Sequence, residues 1–516
     1  MDRPGGAWRA GILAGVATAA VGALFAWLGV VNGDEGWYGL AARAIGEGKV
    51  PYRDFALAQG PGYPTFLAPF VALWPNLGMT RAVSVLTAAI GVGLLVATAH
   101  RVGGRRAALI AAVALLATVP SLPYWLSITK TYSFCFLLLA AIVFLLAGGP
   151  RPRVGYPLAA ALAVGLVTTR TTGIAIAAPL VLALLIRAPE RATRRNVVLA
   201  AAIVSVPFAL LLWREWPQAH WGLYEYHHLA LVRQDGPGRY VSRSFGALRA
   251  WPGPITLALV ALVAALRTPT MRAWLWRRLD AVAFAVGIPI FVLLHESGGI
   301  FFTEEYLAPL IGVVVVGSVL VILRAVGELA PIDHERARRT LLGFLAVGIV
   351  ATAVTGGHRD YLGRPGWRGS IAGLEPINRC IRDHSTPDDE VLALYVEEVV
   401  LQTGRRAVPG ASLGSFSYQE VSTARARELR ILNAAELTRI LERRPPKVLV
   451  FTPFDFNSIY RGGWFSDHLI DTTAINRTFL QYRPVCRARI ERNVFNNLPI
   501  KVDVYARTDP APGVTP

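Results

Sequence analysis

An acidic pair, Asp34 and Glu35, stands directly after an uncharged apolar run of 24 residues, Ala10–Gly33. An unpaired charge beside a bilayer is costly, so carboxylates held there need a purpose. The residues from Glu35 to Ile45 read as an amphipathic helix lying on the membrane surface, with Trp37 and Tyr38 in its first turn. A carboxylate fixed at the interface and facing a polar pocket has the makings of a general base for a weakly acidic hydroxyl when the leaving group is lipid-linked. In the alternative reading Asp34 merely caps that helix.

Cations suited to an anionic group recur elsewhere in the chain. Arg170, in Thr168-Thr-Arg-Thr-Thr-Gly-Ile, divides two short apolar segments, where hydroxyls and helix ends also favour an anion. The competing reading is a snorkelling arginine at the interface. Lys130, one of four lysines and the only one beside an apolar span, is either a second anion contact or an interfacial anchor. The stretch from Trp213 onward is dense in aromatics and histidines. Within it, Tyr226, His227, His228, Arg239 and Arg243 are candidates to reach a phosphate. Its aromatic faces suit sugar rings, or alternatively a membrane-interface belt. Trp37, Tyr38, Tyr63, Tyr226, His227, Glu305 and Tyr306 are the candidate sugar or acceptor lining. No residue set demands a cofactor, and a divalent metal is left open. Structural zinc on His220, His227, His228 and Glu225 is not expected, because adjacent histidines lack the one-face spacing of helical ligands.

The elements that position these residues are membrane helices. The chain has 516 residues, 53% apolar and 17% charged, with mean hydropathy +0.43. That is too apolar for an ordinary soluble enzyme. Runs long enough for a bilayer occur at Ala10–Gly33, Ala82–Ala99, Ala107–Ile128, Thr131–Pro150, Asn196–Trp213, Ala250–Leu266, Tyr306–Leu323 and Thr340–Gly357. Val154–Thr169, Thr171–Ile186 and Ala281–Leu294 are shorter, and the first two are either a pair of crossings or one long tilted helix. If all cross, there are eleven spans. The arginine clusters around Arg3, Arg101, Arg153, Arg191, Arg272 and Arg336 then share one side, the cytoplasm. This clustering accounts for much of the +18 net charge, so nucleic acid is not an expected partner. The first run exceeds a signal-peptide core and reads as an uncleaved helix.

Loops 32–79 and 214–249 then face outward, as does everything after the transmembrane domain of residues 1–357. From His358 the composition turns charged, with Val391–Val396 and Lys447–Pro453 reading as strands and Glu436–Arg444 and Thr472–Tyr482 as helices. The expectation is an extracytoplasmic α/β domain over residues 358–507 and a disordered tail over 508–516. Two of the three cysteines, Cys380 and Cys486, lie in that domain, either bridged in an oxidising compartment or buried as free thiols.

An acidic pair after the first membrane helix, then Gly48-x-x-x-Tyr52-Arg53-Asp54 and Gly60-Pro61-x-x-Pro64, resembles the GT-C superfamily of integral-membrane glycosyltransferases, nearest the protein mannosyltransferase and aminoarabinose transferase group. The resemblance implies an α-helical polytopic membrane protein of about eleven helices with an outer α/β domain, and the Ala, Gly and Arg bias with scarce Lys points to a GC-rich bacterial genome, hence a bacterial plasma membrane. It implies inverting transfer of a sugar from a polyprenyl-phosphate donor to a hydroxyl of a lipid, glycan or protein acceptor. Asp34 becomes the base, Glu35 its orienting neighbour, and Arg170 the basic residue that such enzymes carry before a Thr-Gly pair. Where relatives often show a basic residue before Tyr-x-x-Pro, this chain has Glu304 and Glu305. Competing expectations are a non-catalytic glycan-binding or assembly subunit and a transporter; clean apolar runs without an inverted repeat disfavour the transporter.

Overall fold

A computed structural model describes residues 5–117, 121–147, 152–227, 251–298, 304–328, 335–355, 369–463, 469–491 and 499–508. His228, Arg239, Arg243 and the tail from residue 509 lie outside the described residues. Helix α1 (Gly5–Leu28) leads to the short helices α2 (Glu35–Gly46) and α3 (Gly62–Leu73), then to α4 (Leu77–Leu116). Asn76 caps α4 by accepting from the Met79 N–H, and Gly104, at φ 73°, breaks it into two helices, a backbone that glycine adopts without penalty. Small residues let α1 and α4 touch backbone to backbone. A Cβ on Gly11 would lie 2.7 Å from the Gly93 carbonyl oxygen.

The expected run Ala107–Ile128 is not one helix. It ends at Leu116, and a separate helix, α5 (Ser121–Ser127), follows; Pro120 breaks a continuous helix, while Pro123 is tolerated in the first turn of α5. Helix α6 (Thr131–Leu146) precedes α7 (Pro152–Thr169) and α8 (Ile174–Arg187), which are separate helices meeting at Arg170. There follow α9 (Arg191–Arg214), α10 (Trp216–His220), α11 (Pro252–Arg267), α12 (Pro269–Arg277), α13 (Leu279–Gly298), α14 (Ala308–Glu328) and α15 (Glu335–Thr355). Among the described residues, four stretches are long and apolar enough to cross a bilayer: Gly5–Leu28, Leu77–Leu116, Arg191–Arg214 and Glu305–Gly327. Shorter apolar helices stand beside them. Leucines and valines on the outer faces of α1, α9 and α11 are exposed, as lipid-facing helices require.

The C-terminal part is a five-stranded sheet in the order β2-β1-β3-β5-β4: β1 (Glu390–Ala393), β2 (Arg406–Ala407), β3 (Val448–Phe451), β4 (Tyr482–Glu491) and β5 (Pro499–Arg507). Strand β1 runs parallel to β2 and β3, whereas β4 and β5 pair antiparallel. That last pair was not anticipated, and Tyr482, expected to end a helix, begins β4. Around the sheet lie α16 (Glu375–Asp383), α17 (Glu398–Thr403), α18 (Thr423–Leu429), α19 (Ala434–Arg443), α20 (Pro453–Tyr460) and α21 (Thr473–Phe479). Cys380 on α16 is bridged to Cys486 on β4, with Cα atoms 6.6 Å apart. Of the two expectations for these cysteines, the bridge is the one found.

The sheet and the segment from α2 to α3 share one apolar core, in which Trp37, Tyr38, Leu57 and Leu67 join Val391, Val399 and Val448. Glycines set that contact: a Cβ on Gly36 would lie 2.5 Å from the Glu398 nitrogen, and one on Gly39 would lie 2.3 Å from a Leu401 methyl. Arg43 donates to the Arg405 carbonyl at 2.7 Å, and Ser412 to that of Ala56 at 3.1 Å. The small domain is thereby docked on one side of α2, leaving the side of Asp34, Trp37 and Tyr38, at spacings of three and four, for the site.

Candidate active site

The two adjacent carboxylates have opposite environments. Glu35 is fully buried, and its oxygens accept from Arg81 Nη2 at 2.5 Å and Nε at 2.8 Å, from the Thr129 N–H at 2.9 Å and from the Asn32 N–H at 2.8 Å. Burial works against its charge, but the Arg81 guanidinium and these hydrogen bonds hold it below the ordinary carboxylate range. Arg81 spends its remaining N–H groups on the carbonyls of Ala26, Gly29 and Val30 at the end of α1. Those carbonyls have no partner within the helix, so Arg81 caps α1 and ties it to α2, α4 and the loop before α6. Glu35 therefore contacts no reactant space, and its expected place beside the base becomes that of the site's anchor. Arg81 was missed. Its signal was a lone arginine at one end of a span whose other arginines cluster at the opposite end.

Asp34 occupies the position before α2, yet its side chain makes no capping hydrogen bond, so the capping alternative is not what the structure shows. Its carboxylate, one-third exposed (33%), lies 2.8 Å from Lys130 Nζ. Lys130 also donates to Glu305 Oε1 at 3.0 Å. Burial opposes the charge of Lys130, whose side chain is 4% exposed, but the two carboxylates keep it firmly protonated. Lys130 is thus not a solvated anchor: it is paired with Asp34 and with Glu305, the residue expected to line the acceptor space.

Arg170 sits where α7 gives way to a short turn, Thr171–Gly173, before α8. The Gly60-Pro61-Gly62 segment seats that junction: a Cβ on Gly60 would lie 2.1 Å from the Thr168 carbonyl, which only glycine permits. The guanidinium lies 5.1 Å from the ring centre of Tyr132 and 5.2 Å from that of Tyr306. Arg170 is 3% exposed, which rules out a snorkelling interfacial arginine. Lys130 Nζ is 5.4 Å from the same Tyr132 ring, so both cations border one aromatic wall.

Tyr38 completes the surroundings, within electrostatic reach of Arg170, Asp34 and Lys130. It stacks on Trp37 at 3.6 Å and meets the edge of Tyr63 at 5.5 Å. Tyr63 shares its hydroxyl with Ser84 at 3.1 Å and is 1% exposed, packed behind Tyr38. Tyr226 reaches Asp34 and Tyr306 electrostatically and packs edge-on against Phe416 of the small domain. His227 donates from Nε2 to the Ala58 carbonyl at 2.8 Å. Burial first, then Arg170, lower its proton affinity, against the opposing effect of that hydrogen bond. His220 turns away to Glu225, itself paired with Arg425. Among the described residues no group of three or more His, Cys, Asp or Glu side chains is placed to hold a metal.

The arrangement joins one accessible carboxylate to two buried cations along tyrosine rings, which suits a proton acceptor beside an anion-binding wall. No family model and no curated protein matches the chain. Solved structures do. The crystal structure of ArnT from Cupriavidus metallidurans bound to undecaprenyl phosphate superposes with a TM-score of 0.57 at 15% identity, covering 95% of this chain and 97% of that one. Its apo form gives 0.58 at 16%, with the same coverage. The Archaeoglobus fulgidus oligosaccharyltransferase AglB, in complex with an inhibitory peptide and a dolichol-phosphate, gives 0.46 at 11%, covering 92% and 73%. The apolar helices and the end-to-end likeness to ArnT make this a multi-pass membrane protein with the GT-C fold.

Proposed function

We propose that the protein is an inverting glycosyltransferase that moves a sugar from a polyprenyl-phosphate donor to an acceptor hydroxyl at the outer face of the membrane. The observation that carries this reading is Asp34, a partly exposed carboxylate with no capping duty, paired with Lys130, which shares the Tyr132 ring with Arg170. Further support comes from the fold shared with ArnT, which was crystallised with undecaprenyl phosphate. In the step envisaged, the acceptor oxygen forms a bond to the anomeric carbon as its proton passes to Asp34. The bond from that carbon to the phosphate oxygen breaks, and the phosphate leaves with the electron pair. Arg170 and Lys130 stabilise the charge that develops there. Trp37, Tyr38, Tyr226 and Tyr306 flank the sugar, and His227 steadies the wall.

The topology that goes with this chemistry has eleven crossings, a cytoplasmic N-terminus and the small domain outside. In that arrangement Asp34, Lys130, Arg170 and Glu305 all lie at outer helix ends. A reporter that fluoresces only in the cytoplasm, fused after Thr508, should stay dark. Bright signal would put Asp34 on the wrong face and end the proposal.

A further inference from the structure

Lys130 serves two carboxylates at once, Asp34 at 2.8 Å and Glu305 at 3.0 Å. An ammonium carries three donors, and two are committed here. While it rests on Asp34, it competes with any acceptor hydroxyl for that carboxylate oxygen, and the base is masked. Arg170 lies against the same Tyr132 ring, so an anion drawn to Arg170 arrives within reach of Lys130. The lysine stem is flexible enough to re-aim its head without moving a helix. Asp34 is one-third exposed (33%) whereas the Glu305 side chain is 12% exposed, so Asp34 is the partner more readily given back to solvent or acceptor.

We propose that Lys130 is an exchangeable cation anchored by Glu305, which leaves Asp34 for the donor phosphate and so unmasks the base only when donor is bound. This deepens the reading above and rests on it. Glu305 is then a positioning residue: it keeps Lys130 in place through the exchange. The exchange also gives donor binding precedence over acceptor activation, which guards the base against unproductive proton transfer.

The exchange has an unusual signature, because removing a carboxylate should strengthen binding of an anion. Undecaprenyl phosphate binding would be measured for the full chain in lipid nanodiscs. Asp34→Asn should bind about fivefold tighter than wild type, the size expected of one partly solvated ion pair released, whereas Glu305→Gln, which loses the anchor of Lys130, should bind no tighter than wild type. Lys130→Met should bind about tenfold weaker or worse. In transfer assays Glu305→Gln should raise the donor KM, and Glu305→Asp should restore the wild-type value. Unchanged or weaker binding by Asp34→Asn, or a wild-type donor KM in Glu305→Gln, overturns the exchange while leaving the transferase reading intact. Failure of wild type itself to bind undecaprenyl phosphate overturns both.

Discussion

Glu35 and Arg81, 46 residues apart in the chain, form a fully buried ion pair whose spare hydrogen bonds hold the end of the first helix and the loop before Lys130. The pair joins the start of α2, which follows Asp34, to the Thr129 backbone, which precedes Lys130. Its worth lies in placing the site.

Removing one partner leaves a buried charge uncompensated, which costs about 3–5 kcal/mol. Arg81→Leu should therefore lower the thermal midpoint in detergent and reduce the folded yield. Glu35→Gln keeps the shape and several hydrogen bonds, and should cost less. Thermal unfolding followed by size-exclusion fluorescence checks the order; an Arg81→Leu protein as stable as wild type would remove the anchor role.

Arg170 is expected to matter for donor use more than for folding. A charge-assisted phosphate contact contributes about 1.5–3 kcal/mol, so Arg170→Ala should weaken undecaprenyl phosphate binding by roughly tenfold to a hundredfold. Arg170→Lys keeps the charge but loses the planar group between Tyr132 and Tyr306, and should recover only part of the loss. Titrations at fixed lipid composition decide this, and wild-type affinity in Arg170→Ala would exclude the phosphate role.

How far the site was legible in the sequence depended on the range of the interaction. Asp34, Tyr38 and Arg170 were visible because their signals are local: a carboxylate after an apolar run, helical spacing, and an arginine dividing two apolar segments. The partners were not. Nothing local separates Glu35 from Asp34, and only the fold, by presenting Arg81 to one of them, makes the first an anchor and the second accessible. Glu305 read as a departure from a family pattern because the cation it serves lies 175 residues earlier. The β4–β5 pair was missed for a similar reason: strand pairing is set by partners, and the arginines along β4 masked its alternation.

His227 gives a dependence on pH whose sign follows from its burial. Its proton affinity is lower in the folded protein than in the unfolded chain, where a histidine has a pKa of about 6.5. Above that value both states are neutral and the residue costs nothing. As pH falls below it the unfolded chain takes up the proton first, so stability declines. The thermal midpoint of wild type should therefore fall more steeply between about pH 7 and 5.5 than that of His227→Gln. Parallel slopes would show that the ring is not held neutral.

The central claim is that Asp34 is the general base, and Asp34→Asn tests it most directly. The substitution keeps the shape but removes the proton acceptor, so the protein should insert, fold and bind undecaprenyl phosphate at least as tightly as wild type. Sugar transfer from a polyprenyl-phosphate donor in reconstituted membranes should fall by roughly 10²–10⁴-fold, the usual worth of general-base catalysis. Transfer by Asp34→Asn at a rate close to that of wild type would contradict the account.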